Sequence, residues 1–498
     1  MPELNAEQQT LFDKVVSLSF SKLLLLGDAG SGKTFALCKA VSQLVRDGQT
    51  GVVLCAPTHL ARLNILNKLD PDIVHIAETA TVASLLMKFG IDSEDGTVQF
   101  TAGKLDKIDK YKVVALDECS MLSEQDYVIL MQSKAKIIFL GDFSQLPPVM
   151  ARSSETKMNS HTGTGNLEVV RLVQQMRQQG VIHAAAERNR KAVWFPENNE
   201  VGEGGEAITV HDTERDMVDR MVAELLADNR GYLATYHHRY IAYRNVSVRE
   251  VGKRIRDRVL GNYFGFNTES VPFIYSELIM MRENRGSIGY NGEIVEVKSV
   301  RKDPKFKTVN PYPWESYELT VKGSLGTGMI RTIPPCAQKS MDEYMSGLQS
   351  RLKRAQIAGD FVTAKDVLSQ IKKTRSYWTI TQYPYAVTTH KSQGMTIENV
   401  YLNTSSFVSA PNKRALLYVG ISRASRNLHT VKVTGNDRFD RASVNSRYRA
   451  ARAAYTDVSG ESYRKVLGYL GVSTRDLQGK QIVTEYLEAL VDDMRQGE

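Results

Sequence analysis

Cysteine is scarce in this chain, with four residues in 498, Cys38, Cys55, Cys119 and Cys336, set far apart and without CxxC spacing. That excludes a disulfide framework and a zinc site from the reading, and it fits a reducing, intracellular setting. No uninterrupted apolar segment is long enough to span a bilayer, so no membrane partner is expected. The opening residues, MPELNAEQQ, lack the basic start and apolar run of a secretory signal, which leaves the cytoplasm as the expected location. Short-period repeats and low-complexity tracts are absent, and so is any clustering of carboxylates with lysine that would suggest a nuclease. Excess charge is modest, with 64 Lys and Arg against 56 Asp and Glu, a net +8 and a pI near 9.0. This permits a polyanionic partner without requiring one. The length exceeds what one core organises, so two or more domains are expected.

Against these absences stands one dense stretch, Leu23 to Leu37, LLLLGDAGSGKTFAL. An uncharged run of four leucines reads as a buried central strand. It breaks into Gly27, Asp28, Ala29, Gly30, Ser31, Gly32, Lys33 and Thr34, and then into a helix-compatible segment. This is the G-x-x-x-x-G-K-[ST] pattern in the strand-to-helix setting it needs. Backbone N–H groups freed by the glycines turn onto phosphate oxygens, and the new helix adds the positive end of its dipole. Lys33 would reach the β- and γ-phosphates, and the Thr34 hydroxyl would hold Mg²⁺.

Before it, Leu4, Leu11, Val15 and Leu18 recur at helical spacing, with Asn5 placed to cap the helix. On periodicity alone Gln8, on the first turn, faces water. After it, GVVLCAPTHLARLNIL reads as strand, turn at Pro57 and Thr58, and helix. A polar stretch follows, with turn signals at Asp95-Gly96 and Ala102-Gly103 flanking Thr97 to Phe100, consistent with a surface hairpin. Phe100 there is either a local packing contact or an exposed ring.

Tyr111 to Leu116 is a second buried run, ending in Asp117-Glu118, and Ala135 to Leu140 a third, leading to Gln145. Carboxylates at the C-terminal end of a parallel strand lie where open α/β sheets bind ligands. Asp117 would hold Mg²⁺ through water, Glu118 would polarise the attacking water, and Gln145 is suited to sensing a γ-phosphate. Residues 1 to about 175 thus read as a doubly wound domain, with LVQQMR on a linker helix. The same strand and helix grammar runs through 201–270 and resumes at Tyr385. Between them, 271–336 reads as short strands forming a small β-barrel, and 337–378 as an antiparallel pair of helices broken near Ala358-Gly359. The last residues, about 440–498, read as a charged helical appendage without a functional reading.

Seven segments, GDAGSGKT at 27–34, APTH at 56–59, DECSM at 117–121, GDFSQLPPV at 141–149, LVQQMR at 172–177, TTHKSQGMT at 388–396 and LYVGISRA at 417–424, together resemble the superfamily-one helicases. The RecD and Dda branch is the most similar, and within it the Dda-like phage helicases, which suggests phage coding in a bacterial host. The resemblance implies an α/β fold of two RecA-like lobes: 1A at 1–86 and 110–175, and 2A at 176–270 and 379–439. A pin-like hairpin insertion, 87–109, would belong to the first, and the barrel with its helical projection, 271–378, to the second. It implies ATP with Mg²⁺ as cofactors, single-stranded DNA and duplex junctions as partners together with single-strand-binding or replisome proteins, and action as a monomer. Gln8 becomes the reader of adenine. Arg177 and Arg423 become arginines reaching the γ-phosphate from the second lobe. Pro57, Thr58, His59 and Thr81 on the first lobe, and His390 and Lys391 on the second, become DNA contacts, with Phe100 on the pin. Ala83 departs from the family, which commonly has a histidine there. The implied activity is ATP-dependent unwinding of DNA with 5′ to 3′ translocation. The alternatives are a translocase that remodels protein–DNA complexes without efficient unwinding, and a helicase acting on RNA.

Overall fold

The computed structural model describes residues 4–433, less 29, 89, 93–97, 101–102, 149–151, 175–179, 265–270, 304–313, 409 and 411. Two six-stranded sheets carry the architecture. The first uses β1 (Lys22–Gly27), β2 (Val52–Ala56), β3 (Glu78–Thr81), β6 (Val113–Leu116), β7 (Lys136–Gly141) and β8 (Glu168–Leu172), in the order β3-β2-β6-β7-β1-β8, all parallel. The short β4 (Gly90–Asp92) and β5 (Val98–Phe100) pair antiparallel outside it.

The leucine run is continuous because the sheet is covered on both faces. Leu23 and Leu25 enter the core built with Leu11, Val15 and Leu37, whereas Leu24 enters the opposite core with Tyr127 and Leu130. β8 lies at the sheet edge, and its residues alternate between partly exposed and exposed until buried Leu172. The expected linker helix over LVQQMR is therefore corrected at its start, since Leu172 closes a strand; residues 175–179 lie outside the described residues.

The second sheet joins β9 (Glu200–Val201), β10 (Ala207–His211), β11 (His238–Ala242), β17 (Ala386–Thr388), β18 (Ile397–Leu402) and β19 (Ala424–Val431) in the order β17-β11-β18-β19-β10-β9. It is parallel except at β9. Both sheets are wound with helices, so the molecule is an α/β protein of two lobes, each built on a mainly parallel sheet.

Between β11 and β17 the chain leaves the second sheet. β12 (Leu278–Met281), β13 (Ile294–Lys302), β14 (Tyr317–Lys322) and β15 (Thr327–Thr332) form an antiparallel meander around Ile279, Val297, Leu319 and Ile330. The fifth strand is β16 (Thr381–Gln382), which pairs with β12. Thr379 N–H donates to Arg331 O at 2.7 Å, drawing this end of the chain onto β15 and curling the sheet toward closure. The barrel expected to end at 336, within an insertion ending at 378, thus takes its last strand from beyond the helical projection. That projection is the pair Gln338–Ile357 and Phe361–Tyr377, zipped by Leu348, Leu352, Val367 and Ile371. Its turn passes through Gly359 at φ +69°, a conformation glycine adopts without a Cβ clash. Trp314, Ile333, Met341 and Trp378 pack the projection onto the barrel.

A buried two-pronged ion pair fixes the barrel to lobe 2. Arg256, on the helix Asn245–Phe264, donates through Nε to Glu277 Oε1 at 2.7 Å and through Nη2 to Oε2 at 2.9 Å. Among the described residues no helix is long and apolar enough to cross a membrane.

Candidate nucleotide and nucleic-acid sites

The first site is built where β1, β6 and β7 end. Gly30 and Gly32 carry φ of +96° and +78°, which lets the loop turn and open directly into the helix Lys33–Arg46. Lys33 Nζ folds back, donating to Gly27 O at 2.5 Å and Asp28 O at 2.8 Å, so its ammonium is held over the loop that would cradle phosphate. Thr34 Oγ1 donates to Asp117 Oδ2 at 2.7 Å across from the end of β6, bringing two hard oxygen ligands together. That pairing suits Mg²⁺.

Glu118 follows in the left-handed region, φ 54° and ψ 46°, an unfavourable conformation for a side chain of its size. Desolvation at the cleft floor, and then the Asp117 charge, push its acid above the ordinary glutamate range, against the pull of Arg423 and Lys33. A carboxylate with raised proton affinity beside a phosphate cradle is suited to accept a proton from water.

A cavity of about 230 Å³ connects these groups, lined by Lys33, Thr34, Asp117, Glu118 and Gln145 of lobe 1 and by Gly394 and Arg423 of lobe 2. Gln145 Oε1 is buried there without a hydrogen-bond partner among the described residues. Arg423 is almost fully buried, and its guanidinium donates to Val419 O at 3.1 Å, Met395 O at 3.3 Å and Ser422 Oγ at 2.9 Å. Burial pulls its pKa below the ordinary arginine value, and Glu118 opposes this. Ala29 and Arg177 lie outside the described residues.

Gln8 does not face water. It is buried, exchanges a reciprocal cap with Asn5 (Gln8 N–H to Asn5 Oδ1 at 2.8 Å, Asn5 N–H to Gln8 Oε1 at 3.2 Å), and sends Nε2 to Ser31 O at 3.3 Å. The periodicity reading failed because the phosphate loop, not solvent, covers that side of the first turn.

Three cross-lobe contacts escaped the sequence reading. Arg190 of lobe 2 pairs with Asp28 of the phosphate loop at 2.8 Å. Tyr418 donates its hydroxyl to Asp142 Oδ2 at 2.6 Å. Asn64 Nδ2 donates to Gly394 O at 2.9 Å. Tyr418 and Gly394 sit inside recognised motifs; Arg190 and Asn64 carried no signal. A second cavity of about 470 Å³ opens beside Asp28 and Asp142, with Arg171, Arg190 and Arg414 on its walls.

The residues expected to touch DNA divide between two surfaces. On lobe 1, Thr58 Oγ1 caps the helix His59–Leu66 by accepting Ala61 N–H at 3.1 Å, and Thr81 Oγ1 caps the next helix by accepting Ser84 N–H at 3.2 Å. Pro57 precedes the first cap. The His59 ring is stacked on Tyr290 of the barrel. Desolvation, and secondarily Arg62, lower its pKa. On lobe 2, His390 and Lys391 occupy the single turn Thr389–Ser392. Desolvation lowers the His390 pKa, and burial, then the charges of Arg282 and Arg249, pull Lys391 down to about 7. The β4–β5 hairpin pairs Gly90 with Phe100, while its turn and the Phe100 side chain lie outside the described residues.

Two family descriptions match the chain: AAA domain over residues 3–204 and UvrD-like helicase C-terminal domain over 383–431. The ATP-dependent DNA helicase Dda of Enterobacteria phage T4 is 25% identical over 456 residues, covering 84% of this chain and 97% of the phage protein. The ATP-dependent DNA helicase Pif1 of Campylobacter jejuni is 23% identical, covering 85% of this chain and 91% of its own length. A Bacteroides Pif1 helicase solved with ADP-AlF3 and single-stranded DNA aligns over 91% of this chain and 98% of that one, at 15% identity and TM-score 0.48.

Proposed function

We propose that this chain is a member of the Dda- and Pif1-like superfamily-one helicases, an ATP-driven DNA helicase moving 5′ to 3′ on single strands. The observation that carries the reading is the shared cavity: a phosphate loop, an acid pair and Gln145 from one lobe, closed by Arg423 from the other. A cation delivered by a moving lobe stabilises phosphoryl transfer only when the cleft is shut, which ties hydrolysis to lobe motion. Lys33 binds phosphate, Glu118 takes the proton of the attacking water, Gln145 senses the γ-phosphate and Gln8 reads adenine. Thr34 and Asp117 would hold Mg²⁺, which when bound neutralises phosphate charge. Arg177 supplies a second arginine.

DNA lies across both lobes, over Pro57, Thr58, His59 and Thr81 and over His390 and Lys391. The hairpin of residues 87–109 parts the duplex with Phe100, braced by the barrel and projection of the second lobe. The division of the chain into lobe 1A, pin, lobe 2A and insertion belongs to the same reading.

The test is strand displacement on duplexes bearing a 5′ or a 3′ single-stranded tail. ATP and Mg²⁺ should drive displacement from the 5′-tailed duplex. Displacement from the 3′-tailed duplex alone would overturn the direction. Single-strand-stimulated hydrolysis without displacement from either would leave a translocase that does not unwind.

A further inference from the structure

Among the described residues, the barrel meets lobe 1 where His59 and Arg62 face Tyr290. His59 opens the helix His59–Leu66, and its ring centroid lies 4.5 Å from that of Tyr290, with the planes 11° apart. Tyr290 belongs to the barrel, in the connection between β12 and β13. One turn along the helix, the Arg62 guanidinium lies over the same tyrosine ring at 4.7 Å. Parallel rings at this separation have the geometry a nucleobase adopts on an aromatic side chain.

Single polar atoms in this region are unmet, although Arg62 also donates through Nη1 to Thr79 Oγ1 at 3.0 Å and Arg285 Nη2 lies 3.5 Å from Glu283 Oε2. His59 Nδ1, Arg62 Nε, Arg285 Nε and Lys391 Nζ are all buried without a hydrogen-bond partner among the described residues. They come from lobe 1, the barrel loop and lobe 2. An unsatisfied buried polar atom is costly, and those of His59 and Arg62 lie on the helix turn that faces Tyr290, so they point to a ligand that brings polar atoms of its own. Like charge compounds the deficit, because Lys391 faces Arg282 and Arg249. Each of these has one neutralising or polar contact, Arg249 with Asp342 at 2.7 Å and Arg282 with Gln382 Oε1 at 2.6 Å. A role confined to bracing the barrel accounts for the rings but leaves the donors unmet. A chain carrying both flat bases and anionic oxygens accounts for both.

We infer that Tyr290 is a base-stacking residue of the single-stranded DNA track, and that on binding a base takes the ring face which His59 covers without DNA. The flanking phosphates meet Arg62, Arg285 and Lys391. The barrel loop is thereby a third wall of the track, beside the two lobes. This rests on the DNA reading given above.

The test measures affinity by fluorescence anisotropy for a short oligothymidylate and for a series carrying one abasic site at successive positions. For the wild type, one position should be sensitive, the missing base costing roughly 5- to 30-fold in affinity. Tyr290→Ala should bind the intact strand more weakly by a similar factor and lose its sensitivity at that position, and Tyr290→Trp should restore both. Tyr290→Ala binding as tightly as wild type would overturn the inference. So would weakened binding with the abasic profile unchanged, since that marks a bracing role. A wild-type protein that binds no single strand would instead remove the DNA reading itself.

Discussion

Deleting one oxygen atom, by Tyr418→Phe, should loosen the closed cleft. Of the three polar cross-lobe contacts described at the nucleotide cleft, Asp28 with Arg190 is the more solvated, the side chains being 20% and 35% exposed, and pairs of that kind contribute at most about 1 kcal/mol. The Asn64 bond to Gly394 joins neutral groups. Tyr418 and Asp142 are both buried, and the 2.6 Å bond ends on a carboxylate. Hydrogen bonds to charged groups contribute about 1.5–3 kcal/mol. Taking about 2 kcal/mol, closure becomes roughly 30-fold less favourable, while the aromatic ring that packs in the lobe 2 core is retained. Because Arg423 acts only across a shut cleft, kcat for single-strand-stimulated hydrolysis should fall by about tenfold, with KM for ATP rising. Steady-state hydrolysis over a range of ATP concentrations, with thermal melting as a control on folding, reads both. The reasoning fails if Tyr418→Phe melts like wild type and both constants stay within twofold.

Binding of single-stranded DNA should weaken as pH rises from about 7 toward 9. Lys391 is held down to about 7 by burial and by Arg282 and Arg249. Phosphate favours its charged form, so the gain is complete below the free pKa and is lost as pH climbs through the bound one. Lys391→Arg should flatten that profile, and an unchanged slope would remove Lys391 from the track. Glu277→Gln, which leaves Asp257 as the charged partner of buried Arg256, should cost about 1.5–3 kcal/mol in urea unfolding; a loss under about 1 kcal/mol would contradict the role given to this pair. Replacing both partners by Met and Leu should recover most of that loss.

The elements read well from sequence were those whose pattern is set by local physics. A strand covered on both faces must be apolar throughout, which is why Leu23 to Leu26 was legible. The phosphate loop was legible because its glycines, Lys33 and Thr34 are adjacent in the chain. β8 drew no reading, and its last residue, Leu172, was placed in a helix, because Glu168–Leu172 lies at the sheet edge and offers no long apolar run. β16 has only two residues, too few for any period to show. Arg190 meets Asp28 across 162 positions, and Tyr290 meets His59 from an inserted barrel, so neither pairing leaves a local trace. Gln8 shows the limit of periodicity, which reports a helix face but not what covers it.

The central claim, that the cleft hydrolyses ATP with Glu118 as the base, is tested most directly by Glu118→Gln. The account predicts that this variant still binds nucleotide and single-stranded DNA but loses DNA-stimulated phosphate release by about 10²-fold or more. Phosphate release within a fewfold of wild type would contradict it.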